Sequence, residues 1–175
     1  MAWILLAVTA LAQAPAAPAK YQPCSLVSVA ETEALTVLKV TTSEESDVPY
    51  EKDAHHDHAD VLSICNRYFT KPLQLQLSVT SLPVTAEGKE RDKGEDRAAQ
   101  EFARSRGGKI ENKDFGKIHC STLTMPGDLA RANSTTCTSE NGKLAFWLGV
   151  SAGPKGLVPM EKVKVLAEKI LARMP

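Results

Sequence analysis

Two segments of the chain carry the clearest patterns of apolar and polar residues. Between residues 73 and 80 the two kinds of side chain alternate strictly, which is typical of a half-buried strand. Its apolar face consists of Leu73, Leu75, Leu77 and Val79. Near the C-terminus, from Pro159 to Arg173, apolar residues recur at helical spacing instead, which predicts a helix with one apolar stripe. That stripe consists of Val163, Leu166, Ala167, Ile170, Leu171 and Met174.

Further strands are predicted on both sides of the middle of the chain. Residues 61–69 are rich in strand-forming side chains, and Lys71-Pro72 joins them to 73–80 as a hairpin turn. Later strand candidates are 117–124, 134–139 and 144–151. Asn141-Gly142 separates the last two and suits a type I′ turn.

The last of these strands predicts two different faces. One face holds Leu144, Phe146, Leu148 and Val150, and the other holds Ala145 and Trp147. Because both faces carry apolar side chains, we expect both to be coverable.

Two more helices are predicted. The first covers 29–38, where Ser28 and Glu31 form a capping box. Its expected inner face consists of Ala30, Ala34, Val37 and Leu38. The second covers 95–105 and stops at Gly107-Gly108. Its expected inner face consists of Ala98, Ala99, Phe102 and Ala103.

Residues 41–60 are polar and acidic without a sustained period, which predicts a long loop. The order of the elements then predicts an α+β fold, with an antiparallel sheet of about five strands flanked by helices.

The N-terminus predicts export. Residues 1–12 contain a short apolar run followed by small residues, as in a signal peptide, and the run is too short to span a bilayer. Residues 13–23 are rich in proline and alanine and predict a flexible tether. A single domain from 24 to 175 follows, secreted or periplasmic, without a transmembrane segment once the leader is removed. Tyr21-Gln22-Pro23 before Cys24 does not match a lipid-attachment signal, so we expect no lipid anchor.

Charge narrows the function classes. The chain has 21 basic and 21 acidic side chains and no basic stripe with interleaved aromatic residues. These features exclude the usual footprint of a nucleic-acid binder.

The four cysteines have no Cys-x-x-Cys spacing and suit structural disulfides in an oxidising compartment. Of the three possible pairings, we favour Cys24 with Cys65 and Cys120 with Cys137 because the latter two lie on consecutive predicted strands. A redox or metal-thiolate site is the alternative.

Residues 53–60 are the segment whose side chains suit a metal. His55, His56 and His58 alternate with aspartates, and neutral imidazoles can bind copper, nickel or zinc. The alternative is a solvated loop without a specific role. His119 is expected to be exposed or at the edge of the core. Signatures of hydrolases, nucleotide binders and oxidoreductases are absent, so no catalytic residue and no cofactor is predicted.

Several short motifs resemble small bacterial cell-envelope proteins of unassigned function, many of them actinobacterial lipoproteins. The motifs are Pro23-Cys24-Ser25-Leu26-Val27-Ser28-Val29-Ala30-Glu31, a mid-chain cysteine before an aliphatic strand, Gly127-Asp128-Leu129-Ala130, and a final helix ending in Leu171-Ala172-Arg173. The resemblance implies a PsbP-like α/β/α sandwich and a binding or accessory role in the envelope. The chain departs from the family in lacking a lipid-attachment cysteine, and its histidine loop belongs to no motif of the family.

The sequence therefore predicts a non-catalytic, disulfide-stapled, exported domain that binds a small ligand or an envelope partner through its loops or one sheet face. A metal-binding protein that uses the histidine loop is the alternative, and a hydrolase without a visible site is a third possibility.

Overall fold

The computed structural model of the chain describes residues 19–50, 60–81, 97–153 and 156–175. The fold is α+β, as predicted, and an antiparallel sheet dominates it. Among the described residues, no helix is both long and apolar enough to cross a membrane. The predicted leader, residues 1–12, lies outside the described residues.

The described sheet has seven strands in the order β1-β2-β3-β7-β6-β5-β4. The strands are β1 Val40–Tyr50, β2 Asp60–Phe69, β3 Gln74–Ser81, β4 Lys109–Phe115, β5 Ile118–Thr124, β6 Ser134–Glu140 and β7 Leu144–Ser151. Strands β1 to β3 form one meander and β4 to β7 another, and antiparallel pairing of β3 with β7 joins them.

Three of the described helices pack on one face of this sheet. They are α1 Pro23–Leu26, α2 Val29–Thr36 and α4 Met160–Arg173, while α3 covers residues 97–105 and a 3₁₀ helix covers Gly127–Ala132. The predicted apolar faces of β3, β7 and α4 meet in the core, where Leu77, Leu148 and Ile170 are fully buried. The predicted strand alternation and the C-terminal stripe are therefore confirmed.

Strands β1 and β4 correct the sequence prediction. The former lies within the segment 41–60 that we expected to be a loop, and the latter precedes the predicted strand 117–124. Both are edge strands, and none of their described side chains is buried. Such strands need no apolar alternation, since only one side of the backbone pairs and their side chains are at most half-buried, as Val40 and Phe115 are at the edge of the core. For this reason the sheet has seven strands and not about five.

The capping box of α2 is confirmed, but its inner face is not the one predicted. Ser28 Oγ accepts from the Glu31 amide, and the Glu31 carboxylate accepts from the Ser28 amide. The buried residues are Thr32 and Thr36, whereas Ala30 and Ala34 are exposed. Each threonine donates its hydroxyl to the carbonyl four residues before it, so burial leaves no hydroxyl unpaired.

Helix α3 ends as predicted but buries fewer residues. The amide of Gly108 donates to the Ala103 carbonyl and that of Gly107 to the Arg104 carbonyl, and Gly107 has a φ of 76°. This is a Schellman-type end, which favours glycine. Of the predicted inner face, Ala103 is buried but Phe102 is 61% exposed, with the Arg106 guanidinium over its ring.

Both predicted disulfides are present, joining Cys24 to Cys65 and Cys120 to Cys137. The first holds α1 on β2, and the second joins β5 to β6. Residues 19–23 at the end of the predicted tether are packed here, since Ala19 is 5% exposed and Pro23 is buried.

A buried cation lies beneath this N-terminal segment. Arg67 on β2 is 3% exposed. It donates to the carbonyls of Cys24 and Val27 and to the Thr32 hydroxyl. Its Nε group finds no acceptor among the described residues. Burial lowers the pKa of Arg67, and the charge of Glu31 opposes that shift. The guanidinium therefore serves as a hydrogen-bonding centre for the turn between α1 and α2.

Glu31 ties the two ends of the domain together. Its carboxylate accepts from both terminal nitrogens of Arg173, each at 2.8 Å, and from Lys169 Nζ at 3.1 Å. Arg173 also donates to the Leu26 carbonyl. Arg173 and the Ser28 amide hold the pKa of Glu31 far below its ordinary value of 4.5. The C-terminal helix is thus anchored to the start of the domain.

We expect Glu31→Gln to lower the free energy of unfolding at neutral pH by about 1 to 2 kcal/mol, because charge-assisted bonds become neutral ones. A depressed folded-state pKa stabilises the fold above the ordinary pKa of 4.5, and this contribution is lost as the pH falls below it. Urea unfolding from pH 7 to strongly acid conditions should therefore show the difference between the two proteins shrinking below that value.

The matched control is Glu168→Gln. This substitution breaks the ion pair between Glu168 and Lys164, which both lie on the surface of α4. Exposed pairs of this kind contribute little, so we expect little change in stability. A difference between wild type and Glu31→Gln that stays constant down to acid pH would contradict the assigned role of Glu31.

Candidate ligand-binding face

The face of the sheet opposite α1, α2 and α4, here called the open face, carries a row of side chains in register across all seven strands. Cross-strand pairing aligns one residue from each strand. In spatial order they are Ser46, Ile64, Ser78, Trp147, Thr138, His119 and Asp114. Because neighbouring strands lie roughly 4.8 Å apart, this central row spans roughly 29 Å.

A second row runs beside the central row and is polar apart from one glycine. It consists of Asn66, Gln76, Gly149, Thr136, Ser121 and Asn112. The hydroxyls of Ser121 and Thr136 bond to each other at 2.7 Å. On β1, Glu44 continues the second row beside Asn66. Together the rows form a largely polar surface around a single indole, in which hydroxyl and amide groups predominate and Glu44, Ile64, His119 and Asp114 are the exceptions.

Trp147 lies flat along this surface. A side-chain carbon at Gly149 would collide with the far edge of the indole, so the ring covers the glycine two residues further along its own strand. The indole remains 38% exposed. It therefore offers an aromatic surface between the polar groups of the two rows.

His119 forms a cross-strand pair with Asp114. The distance from His119 Nδ1 to Asp114 Oδ1 is 2.6 Å, and both side chains are largely exposed. Since a carboxylate can only accept, Nδ1 carries the proton of the bond. In the neutral ring Nε2 then keeps a lone pair that can accept from a ligand hydroxyl.

Two hollows flank the central row, and both are lined by Trp147, His119 and Thr138. The larger, of about 450 Å³, extends towards the β6–β7 turn and includes Ser78, Thr80, Lys117 and Glu140. The smaller, of about 260 Å³, extends over the second row to α3 and includes Gln100, Asn112, Ser121 and Thr136. In the smaller hollow His119 is the one titratable side chain in the described lining. A ligand lying across the row would enter both hollows.

The predicted site residues fall elsewhere. Cys65, Cys120 and Cys137 are buried beneath the helices and serve the core. His55, His56 and His58 lie outside the described residues, so the metal hypothesis stays a prediction. Among the residues that the structure describes, no three histidine, cysteine or acidic side chains gather as metal ligands would.

Sequence reasoning placed Trp147 on the strand face opposite Leu148 and His119 at an exposed or core-edge position, and both placements are confirmed. It did not bring them together, nor did it identify Thr138, Ser78 or Asp114. Strand alternation alone could have assigned Thr138 to the same face as Thr136. Alignment of the row depends on the register between strands distant in sequence.

No protein-family model, curated protein or solved structure matches this chain. The function is therefore inferred from the geometry of the open face.

Proposed function

We propose that this protein is a non-catalytic, extracytoplasmic binding domain that takes a neutral glycan chain across its open face. The observation that carries the proposal is the indole of Trp147 lying flat over Gly149 with hydroxyl and amide side chains of both rows around it. A sugar ring has one surface of C–H groups that can stack on an indole and a rim of hydroxyls that need hydrogen-bond partners. The open face offers both.

The shape and charge of the site favour a glycan over other polymers. The central row crosses every strand of the described sheet, and this length suits an extended ligand. The described lining of the smaller hollow carries no lysine or arginine, and that of the larger hollow carries one lysine with one glutamate, whereas a nucleic acid needs several cations for its phosphates. An added peptide strand would pair with a sheet edge and not with the open face.

The two disulfides support an extracytoplasmic location, because such bonds persist in oxidising compartments. Export through the N-terminal leader remains part of the proposal, as does the PsbP-like resemblance.

Tryptophan fluorescence tests the proposal directly. The chain has two tryptophans, so a Trp3→Phe background leaves Trp147 as the reporter. We expect titration with chitohexaose, cellohexaose or maltohexaose to change its emission and to give a saturable binding curve for at least one sugar.

Variants of the open face should weaken this binding. In calorimetry, we expect Trp147→Ala to reduce affinity by roughly tenfold to hundredfold, the range of one stacked ring in other sites. Gly149→Ala should also weaken it, since the added methyl displaces the indole. Phe102→Ala is the control because it removes another exposed aromatic ring, which lies on α3 and lines neither hollow.

Failure of all three hexasaccharides to bind the folded wild type would reject a neutral glycan of these classes. Equal affinity of wild type and Trp147→Ala would reject the open face as the site. If chromatography showed that the sugar becomes shorter during incubation with the protein, the non-catalytic part of the proposal would be overturned.

A further inference from the structure

A second hollow site, here called the end pocket, lies at the end of the sheet far from the β6–β7 turn. Four segments meet there: the end of α2, the start of β3, the chain after β7 and the approach to α4. The volume is about 310 Å³, within the usual range of small-ligand sites. It belongs to the helix side of the sheet and shares no lining residue with the two hollows of the open face.

The wall of the end pocket is apolar. Its apolar side chains are Leu35, Val37, Leu38, Leu73, Leu157, Val158 and Pro159. The Thr36 hydroxyl in the wall is already bonded, since it donates to the Thr32 carbonyl at 3.0 Å. The wall therefore suits a hydrocarbon chain better than a polar ligand.

The charged groups in the described lining are Lys71 and Lys162. Both are exposed, and no carboxylate pairs with either among the described residues. Glu161, next to Lys162, is engaged by Lys113 at 3.0 Å. The pocket thus combines an apolar wall with two cations that form no ion pair with a carboxylate of the described residues.

Val37 gives this pocket an unusual backbone. It ends α2 with φ 59° and ψ 26°, a left-handed conformation that glycine ordinarily adopts and a β-branched residue strongly disfavours. Its side chain is 68% exposed although it lines the pocket. Strain of this kind persists where a side chain has a use, and here that use is an apolar surface at the opening of the pocket.

We propose that the end pocket binds an unesterified fatty acid, with the alkyl chain against the apolar wall and the carboxylate between Lys71 and Lys162. The complementarity is between an anionic head and the two lysines, and between a methylene chain and the wall. Length of the chain sets the affinity, because exposed ion pairs contribute little by comparison. The two lysines favour a carboxylate head group over a neutral one.

Calorimetric titration with octanoate, decanoate and dodecanoate below their micellar concentrations tests this site. We expect affinity to rise about fourfold for each added methylene until the pocket is filled. Dodecanol should bind several-fold more weakly than dodecanoate. In Lys71→Ala/Lys162→Ala, that preference should vanish, since each exposed pair accounts for a factor of about five or less. Lys117→Ala/Lys143→Ala, at the opposite end of the sheet, is the control of equal charge and should keep the preference.

Two further variants separate binding from folding. Val37→Gly should raise the melting temperature by about 2 to 4 °C, since glycine relieves the strain, yet weaken dodecanoate binding by about fivefold. Leu157→Asp, which places an anion in the wall at a half-buried loop position, should abolish binding while the circular dichroism spectrum stays unchanged.

Each opposite result would overturn the inference. These results are affinity independent of chain length, equal binding of dodecanoate and dodecanol to the wild type, and retention of dodecanoate by Leu157→Asp. Because glycan binding uses the other side of the sheet, its presence or absence does not alter these outcomes.

Discussion

Replacing Arg67 with alanine is expected to lower the free energy of unfolding by about 3 to 5 kcal/mol. The substitution removes the donor for the carbonyls of Cys24 and Val27 and for the Thr32 hydroxyl. These acceptors lie where the side chain is 3% exposed, so water cannot freely replace it. The substitution to alanine also leaves a cavity under α1 and α2. Chemical denaturation monitored by circular dichroism measures the loss.

Two variants separate the causes. Arg67→Met fills most of the space without donors, and Arg67→Lys keeps the charge but donates from a single nitrogen, without the planar fork whose two nitrogens reach Thr32 and the two carbonyls. We expect both to be destabilised, with lysine the milder. If methionine were as stable as arginine, the hydrogen bonds would contribute nothing net and packing alone would explain the alanine result.

Removal of the Cys24–Cys65 bridge is the second large effect. The bridged residues are 41 positions apart, and the chain-entropy relation assigns such a loop about 4 kcal/mol. We expect Cys24→Ala/Cys65→Ala to lose about that much stability, because an open chain gains freedom in the unfolded state. The comparison uses guanidinium unfolding of oxidised wild type and variant.

The Cys120–Cys137 bridge provides the matched control. Its cysteines are 17 positions apart, so the same relation assigns it about 3 kcal/mol. Removal should therefore cost less. A larger loss at the shorter loop would contradict the entropic account and would indicate that β5 and β6 depend on their bridge for packing.

The two large effects should not add. Arg67 donates to the carbonyl of Cys24, so the guanidinium and the bridge hold the same turn. Once either is lost, the other has a less ordered partner. Neighbours of this kind show coupling energies of about 0.5 to 3 kcal/mol in double-mutant cycles.

The central elements of the fold could be predicted from the sequence because each has one apolar side, which packs in the core, and one polar side. Leu75 and Leu77 alternate with glutamines, and Ile170 lies on a stripe that a helix must bury. In these segments local pattern and tertiary burial agree. The turn after β6 is only partly as predicted: Gly142 supplies a left-handed backbone with φ 89°, but Asn141 does not adopt one, so the turn is not the expected type I′.

Elsewhere local pattern and burial diverge. The edge strands β1 and β4 bury no described side chain, so their sequences do not show the alternation of apolar and polar residues that would predict a strand. Thr32 is buried because its hydroxyl bonds within the helix, while Phe102 is exposed although apolar. Residue type alone assigned both of these side chains wrongly.

The arrangement of the open face could not be predicted without the strand order and register. Trp147 and His119 become near neighbours because β6 lies between β7 and β5, and their registers align. His119 meets Asp114 only because β4, which the sequence did not reveal, pairs with β5. Pattern predicted the side on which Trp147 lies, but only the pairing assembled its surroundings.

The order of strands has a further consequence for the connectivity of the molecule. Cys24–Cys65 lies within the half that ends in β3, and Cys120–Cys137 lies within the half that begins at β4. No covalent bridge crosses the seam between β3 and β7, which is held by backbone hydrogen bonds and side-chain packing. Each half is internally cross-linked, while the polypeptide between Ser81 and Lys109 is the covalent connection between the halves. A chain divided between Ser81 and Lys109 would therefore yield two separately stapled fragments able to reassemble by strand pairing, each bringing part of the central row.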